Sequence, residues 1–364
     1  MGPCEISIRS ALEKDGIMSF AQFMELALYS PGSGYYETHA KTIGRAGDYF
    51  TSVSVGTVFG DCLAIAIAQD WALANRGETW SLVEAGAHDG RLALDVLNSL
   101  KRRFPQLYES VHYRIIEPSE TRRSWQSATL SEHRGRFSHL VRVNDLPKVR
   151  GVFLSNELFD AFPVHRFAWS CERRDWRELG VSERNGQLVG CELDSPTLDF
   201  DAAVLAAGLS LPQELLSVLP EGLVLELCPA AAAYWKTLAN AFEQGLLIAI
   251  DYGMGSDEWI RPERTSGTAR AYSGHVASSD LLVNPGAQDL TAHVNFGALE
   301  LAGREVGFRT VRWERQGVFL SSIARDAERT GLALGWDGAE LRQFKTLVHP
   351  QHLGHSFRVL IQQK

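Results

Sequence analysis

Cysteine is scarce and badly spaced for metal or redox work. The five in 364 residues, Cys4, Cys62, Cys171, Cys191 and Cys228, form no C-x-x-C pair. Zinc ribbons and thioredoxin-type centres are therefore unsupported, and an odd number of scattered thiols suits a reducing compartment better than a disulfide framework. Long hydrophobic runs are missing too. One of the longest, 245–250, falls far short of the roughly 20 apolar residues that cross a bilayer. Residues 1–15 have neither the apolar stretch of a secretory signal nor the Arg-rich, acid-poor character of a transit peptide. These absences predict a cytoplasmic protein without a membrane span. Positive charge never gathers: Lys and Arg number 36 against 44 Asp and Glu, a net charge of -8, and the basic residues are scattered. No nucleic-acid partner is expected. Internal repeats and low-complexity segments are absent as well.

What is present suits an enzyme with a real core, since apolar residues make up 45% and charged residues 22%. The length implies about two domains, or one core with large insertions. Residues 16–75 read as helical at both ends, over 20–28 and 58–74, with a Gly-rich loop between them through Gly44, Gly47 and Asp48. From Ser81 the rhythm becomes strand, turn, helix. Short apolar strands fall at 81–85, 113–116 and 151–155, with helical stretches at 92–103 and 119–131. That alternation predicts βαβ units around a parallel sheet with right-handed crossovers. Residues 166–193 then alternate apolar and polar positions around Asn185-Gly186, a two-residue hairpin signal. Helical composition returns at 212–218 and 230–243, and 246–250 is a buried strand ending at Asp251-Tyr252-Gly253. The stretch 253–295, rich in Gly, Ser and Asp, reads as a long functional loop. The expected plan is α/β: an N-terminal helical segment and lid over 1–76, a Rossmann-like core over 77–165 and 206–364, and an antiparallel β insertion over 166–205.

The most informative segment is Val83-Glu84-Ala85-Gly86-Ala87-His88-Asp89-Gly90. A strand ending in an acid, followed by Gly-x-x-x-Gly at a helix start, is the way class I methyltransferases hold S-adenosylmethionine. Glycine admits close backbone approach, and the acid lies near the charged amino-acid end. The plain alternative is a tight strand-to-helix turn. Glu117 closes the second strand, where a carboxylate accepts bonds from both ribose hydroxyls, unless it is merely a solvated strand end. A nicotinamide fingerprint needs Gly-x-Gly-x-x-Gly, and His88 breaks it. Glu84, Gly86, Asp89, Gly90 and Glu117 are thus the candidate donor contacts. At the end of the third strand, Asn156-Glu157-Leu158-Phe159-Asp160 places two acids three apart, on one face of a helical turn if helical. Such a pair suits a guanidinium clamp, and equally a capped helix start.

At this point the chain resembles the mitochondrial complex I assembly (MidA-type) methyltransferases and their bacterial relatives. The resemblance runs over nearly the whole sequence, through FAQFMELALYSPGSGYY at 20–36, GDYFTS at 47–52, NELFDAFPVHRF at 156–167, ELCP at 226–229, IDYG at 250–253, TARAYSGH at 268–275 and NPGAQDLTAHVNF at 284–296. It implies a Rossmann-like fold, S-adenosylmethionine as donor and methylation of an arginine in a respiratory complex I subunit. It also implies that Gly47, Asp48, Thr51 and Ser52 lie near the donor, although Thr51 and Ser52 suit a helix N-cap as well. One departure stands out: the family's Gly-Pro-Gly-x-Gly loop is Gly86-Ala87-His88-Asp89-Gly90 here.

Methyl transfer by direct displacement needs alignment more than acid–base help. An arginine acceptor, with a pKa above about 12, requires carboxylates that orient it and take its proton. Glu157 and Asp160 are assigned that role, with Asn156 beside the donor. Asp251, Asp289 and His293 are candidate acceptor-pocket residues; the last two suit a loop-stapling bond as readily. His349, His352 and His355 recur every third residue without a carboxylate nearby, so no metal is expected. Two other functions stay open: a small-molecule O- or C-methyltransferase, and an assembly scaffold that keeps the fold without turnover. The oligomeric state is not fixed by the sequence, a homodimer being one arrangement.

Overall fold

Seven strands make the core of the computed structural model, which describes residues 2–38, 51–73, 80–261, 263–274 and 276–364. They are β1 (Trp80–Ala85), β2 (Val111–Ile116), β3 (Phe137–Leu140), β4 (Val149–Asn156), β5 (Phe242–Met254), β6 (Arg309–Arg315) and β7 (Phe357–Gln363). Their order across the sheet is β6-β7-β5-β4-β1-β2-β3. All neighbours pair in parallel except β7, which runs antiparallel to both β5 and β6. The chain moves outward from β1 through β2 to β3, then returns to place β4 on the other side of β1. That reversal leaves a crevice at the carboxyl ends of β1 and β4.

The burial pattern explains the parallel arrangement. Every residue of β1 is buried, and in β4 only Arg150 is exposed, as expected for strands covered on both faces. Side chains alternate between two cores. Leu82, Val152 and Ile248 face the helices Val58–Leu73, Arg91–Arg103 and Gln316–Arg329, while Val83, Phe153 and Leu247 face Pro229–Ala241 and Phe296–Arg304. The helix Arg91–Arg103 shows the sequence logic plainly. Leu92, Val96, Leu97 and Leu100 are buried, and Lys101, Arg102 and Arg103 fill its last turn, where cations oppose the dipole.

The antiparallel sheet draws on more of the chain than 166–205. Its strands are Ile17–Ser19, His165–Ser170, Asp175–Arg184, Gln187–Glu192 and Val224–Leu227. Asn185 and Gly186 turn its hairpin with φ of 53° and 76°, the mirror-turn geometry their sequence signals. The segment 253–295 is not one long loop either. It carries a three-stranded sheet, Arg270–Ser273 with Val276–Ser278 and Asp289–Thr291, and a short strand Val294–Asn295 pairs with the end of β5. The helix Phe20–Tyr29 starts at a Ser19/Gln22 capping box. Phe23, Met24 and Leu28 on it pack with Ala161, Val164 and Leu290, so the N-terminal segment is fastened beside the end of β4.

Candidate functional site

A cavity of about 1220 Å³ opens at the carboxyl ends of β1, β2 and β4. It exceeds the roughly 300–1,000 Å³ usual for a single small-molecule site. The loop after β1 forms one wall. Gly86, His88 and Gly90 have φ of 77°, 45° and 85°, so three left-handed residues at alternate positions carry the chain from strand to helix. A Cβ at Gly86 would come within 3.1 Å of Leu158. His88 keeps the conformation expected of a glycine although a side-chain-bearing residue does so at a cost of about 1–2 kcal/mol. The Asp89 carboxylate accepts the N–H of Arg91 at 3.0 Å and lines the cavity, whereas Gly90 caps the helix behind it.

The acids that close β1 and the segment after β2 are buried and fully supported. Tyr113 Oη donates to Glu84 Oε2 at 2.6 Å, and burial pushes the Glu84 carboxyl up to about 7 against that bond. Glu117 Oε1 accepts the Ser119 N–H at 3.0 Å, and its Oε2 accepts from Gln126 Nε2 at 3.1 Å. Burial raises the Glu117 pKa, and the Arg122 guanidinium opposes the rise. Each Glu117 oxygen retains a second lone pair. With a left-handed loop that only glycine enters without strain at Gly86 and Gly90, and a buried acid on each strand end, this wall fits an adenosyl sulfonium donor.

The opposite wall is built from the end of β4. Asn156 Nδ2 donates to Glu157 Oε1 at 2.8 Å, while the buried Asn156 Oδ1 has no partner among the described residues. Glu157 lies deep in the fold but is open to the cavity. Burial, with Asp251 and Asp289 adding charge of the same sign, lifts its pKa to about 8 against the Asn156 bond.

The expected shared helical face for Glu157 and Asp160 does not form. Glu157 is left-handed, with φ of 53°, and its N–H bonds the Ile250 carbonyl at 2.9 Å; a single 3-10 turn, Phe159–Ala161, follows it. Asp160 is buried behind the wall, not in it. Burial first, then Asp251, Glu157 and Asp289, hold its pKa well above the carboxylate range. Asp251 also stays out of the cavity. Its Oδ2 accepts the N–H groups of Leu158 and Phe159 at 3.1 and 2.9 Å, fastening the turn that presents Glu157. Asp289 joins this buried group electrostatically. His293 does not: it lines a separate cavity of about 30 Å³ beside Glu226, and its N–H bonds Thr268 Oγ1.

Thr51 lines the large cavity and its Oγ1 accepts the N–H of Ser54. Ser52 is buried: its hydroxyl donates to Gln316 Oε1 at 2.9 Å, and its backbone N–H supports the Glu157 carboxylate. Gly47 and Asp48 lie outside the described residues. Three contributors have no counterpart in the sequence reading. Tyr29 lines the cavity and donates to the Ala161 carbonyl at 2.9 Å. Arg122 also lines it and stacks on Tyr36, 4.8 Å from the ring centre, and Gln126 sits beneath the donor loop. Among the described residues no group of His, Cys, Asp and Glu is placed to hold a metal, and no helix is long and apolar enough to cross a membrane.

This strand order, with an acid at the end of β1 and just beyond β2 around one crevice, defines a Rossmann-like methyltransferase. The chain belongs to the family described as "Putative S-adenosyl-L-methionine-dependent methyltransferase", whose model matches residues 62–313. It is an S-adenosylmethionine-dependent methyltransferase. The mouse protein named protein arginine methyltransferase NDUFAF7, mitochondrial, is 25% identical over 380 residues, covering 95% of this chain and 81% of its own length. The human protein of that name is 25% identical over 382 residues, covering 95% and 80%. A crystal structure from Burkholderia thailandensis, described as a "likely methyl transferase" bound to S-adenosyl-homocysteine, superposes with a TM-score of 0.82 at 28% identity over 99% of this chain and 92% of that one. The mitochondrial names overturn the cytoplasmic expectation. Free thiols separate reducing from oxidising surroundings and cannot tell one reducing compartment from another.

Proposed function

We propose that this enzyme methylates the guanidinium of a protein arginine, in a respiratory complex I subunit by the resemblance described above, with Glu157 as its catalytic carboxylate. The names of the curated relatives support the reading. The observation that carries it is Glu157 itself, a carboxylate open to the cavity, lifted to about 8 and crowded by other acids. Bound S-adenosylmethionine supplies an electrophilic methyl group on its sulfonium. Glu84, Gly86, Asp89, Glu117, Asn156 and Thr51 are the residues that would hold it. Glu117 has the free lone pairs for two ribose hydroxyls, and Asn156 Oδ1 is an unsatisfied acceptor at the junction of the two walls.

Glu157 has two tasks in this reading. As a carboxylate it pairs with the incoming guanidinium, whose charge favours the ionised form despite burial. As the guanidinium nitrogen gains the methyl group it loses a proton, and Glu157 is the base that receives it. Asn156 holds the carboxylate in place through its 2.8 Å bond, and Asp251 holds the turn. Burial, with Asp251 and Asp289 behind, keeps Glu157 basic. The test is transfer of labelled methyl from the donor to arginine-bearing peptides and complex I subunits, with products located by mass spectrometry. Methylarginine is the expected product. Label found only on a small-molecule hydroxyl or carbon acid, or donor binding with no transfer at all, overturns the reading.

A further inference from the structure

Gln126 is completely buried on the helix Glu120–Thr129, and its side-chain amide is used twice. Nε2 donates to the His88 carbonyl at 3.0 Å and to Glu117 Oε2 at 3.1 Å. A primary amide has two N–H donors, so both are committed. Oε1, in contrast, is buried without a partner among the described residues. Turning the amide over would aim Oε1 at a carbonyl and a carboxylate, so these two acceptors fix its orientation. A buried oxygen left unpaired destabilises a fold, and an apolar side chain of equal length avoids that cost. Packing alone does not account for glutamine here. The helix and the loop also approach closely, since a Cβ at Gly90 would sit 3.2 Å from Gln126 Cα.

We propose that Gln126 is a positioning residue of the donor site. Its single amide locks the left-handed His88 of the loop and the carboxylate of Glu117 into one rigid unit, so the donor meets a wall that is already assembled. The proposal rests on the reading that Glu117 and this loop face the donor. His88 gains most from the clamp. A residue with a Cβ relaxes out of the left-handed region unless its surroundings hold it there. Glu117 gains a fixed rotamer and keeps one lone pair on each oxygen for the ligand. Preorganisation of this kind improves affinity without adding a contact to the ligand.

The experiment is calorimetry with S-adenosylhomocysteine on Gln126→Met, Gln126→Glu, Glu117→Ala and the Glu117→Ala/Gln126→Met pair, beside thermal melts. Gln126→Met keeps length and loses the amide, and should weaken binding about tenfold or more with little change in melting temperature. The combined loss in the double variant should fall well short of the product of the two single losses, because part of the Gln126 effect acts through Glu117. Gln126→Glu sets like charges together, which disfavours ionised Glu117. Its binding should therefore need higher pH than the wild type, a displacement that a space-filling role does not produce. Affinity within about threefold of wild type, with both Gln126 variants melting lower, makes the residue a filler and overturns the proposal. Multiplicative losses in the double variant overturn the coupling to Glu117. If Glu117→Ala alone leaves binding intact, it is the donor-site reading that fails, and the proposal falls with it.

Discussion

On the wall formed by the ends of β1 and β2, each buried acid has donors of its own: Tyr113 for Glu84, and Ser119 and Gln126 for Glu117. At and behind the wall formed by the end of β4, burial is the main cause of raised proton affinity: Asp251 and Asp289 add to it at Glu157, and Asp251, Glu157 and Asp289 add to it at Asp160, while Asp251 takes backbone N–H groups. The first wall is complete without a ligand. Among the described residues, the charges that weigh most on Glu157 and Asp160 are all acidic, and a buried carboxylate group of that kind is relieved by protons or by a cation. One cavity thus combines a preformed neutral-to-anionic cradle with an electrostatically unfinished face, as expected if a donor is held on one side and a cationic acceptor arrives on the other.

The comparison is broken most directly at Glu157. Glu157→Gln keeps the size of the side chain and removes its charge and basicity. Methyl transfer in single turnover is expected to fall on the order of 10²–10³-fold, the usual loss when a transition-state interaction is removed. Affinity for S-adenosylhomocysteine should stay within about threefold, since the donor wall is untouched. Full transfer activity with a changed melting point would make Glu157 structural and leave the acceptor wall without a catalytic carboxylate. The converse variant is Glu117→Ala. Charge-assisted bonds contribute about 1.5–3 kcal/mol each, so donor affinity should drop about tenfold or more by calorimetry. The melting temperature should fall only modestly, because the buried Gln126 amide keeps the His88 carbonyl as a partner. Unchanged affinity would make Glu117 a buried structural acid that braces Ser119 and Gln126.

These two walls also differ in how far the sequence reveals them. Glu84, Gly86, Asp89 and Gly90 are legible because one strand–turn–helix unit contains them all, so local spacing encodes their geometry. Glu117 follows from strand periodicity. The acid group at and behind the opposite wall joins Glu157, Asp160, Asp251 and Asp289, and no local pattern relates them. The helical face expected of Glu157 and Asp160 failed for a related reason. A left-handed Glu157, pinned to Ile250 on β5, is a product of tertiary contact. A related limit hides β3 and β6: Phe137–Leu140 has no fully buried residue, and β6 alternates exposed and half-buried positions at the sheet edge. Gln126 shows the limit most clearly, since its importance lies in two partners 38 and 9 residues away.

A pH titration sharpens the contrast. In the folded chain Glu157 is raised to about 8 and Asp251 to about 7, each with burial as the main cause. An unfolded carboxyl titrates near 4. A group whose folded pKa is raised stabilises the fold below the unfolded value, and that stabilisation is lost as pH rises through the folded value. The ligand-free protein should therefore melt several degrees lower at about pH 8.5 than at about pH 5.5. Glu157→Gln should flatten the alkaline part of that fall, between about pH 7 and 9. General self-repulsion of a chain with net charge -8 acts in the same direction, and the variant separates the two. An unaltered slope in Glu157→Gln would show that its burial costs the carboxylate little.

The smallest effect is expected at His88, the one place where the donor wall departs from its glycine pattern. With φ of 45°, an L-residue there carries roughly 1–2 kcal/mol of strain. His88→Gly removes that strain but adds about 0.5–1 kcal/mol of unfolded-chain freedom, so the net gain should not exceed about 1.5 kcal/mol. At about 2.1 cal/mol/K of unfolding entropy per residue, that is a rise of at most about 2 °C in melting temperature. The Gln126 bond goes to the backbone carbonyl of residue 88 and survives the substitution. If the wall depends on that backbone, S-adenosylhomocysteine affinity should stay within about threefold. A tenfold loss would mean that the imidazole itself contacts the donor, and a tenfold gain that it obstructs the site. Either result would show that the donor wall is defined by a side chain at this position as well as by the path of its main chain.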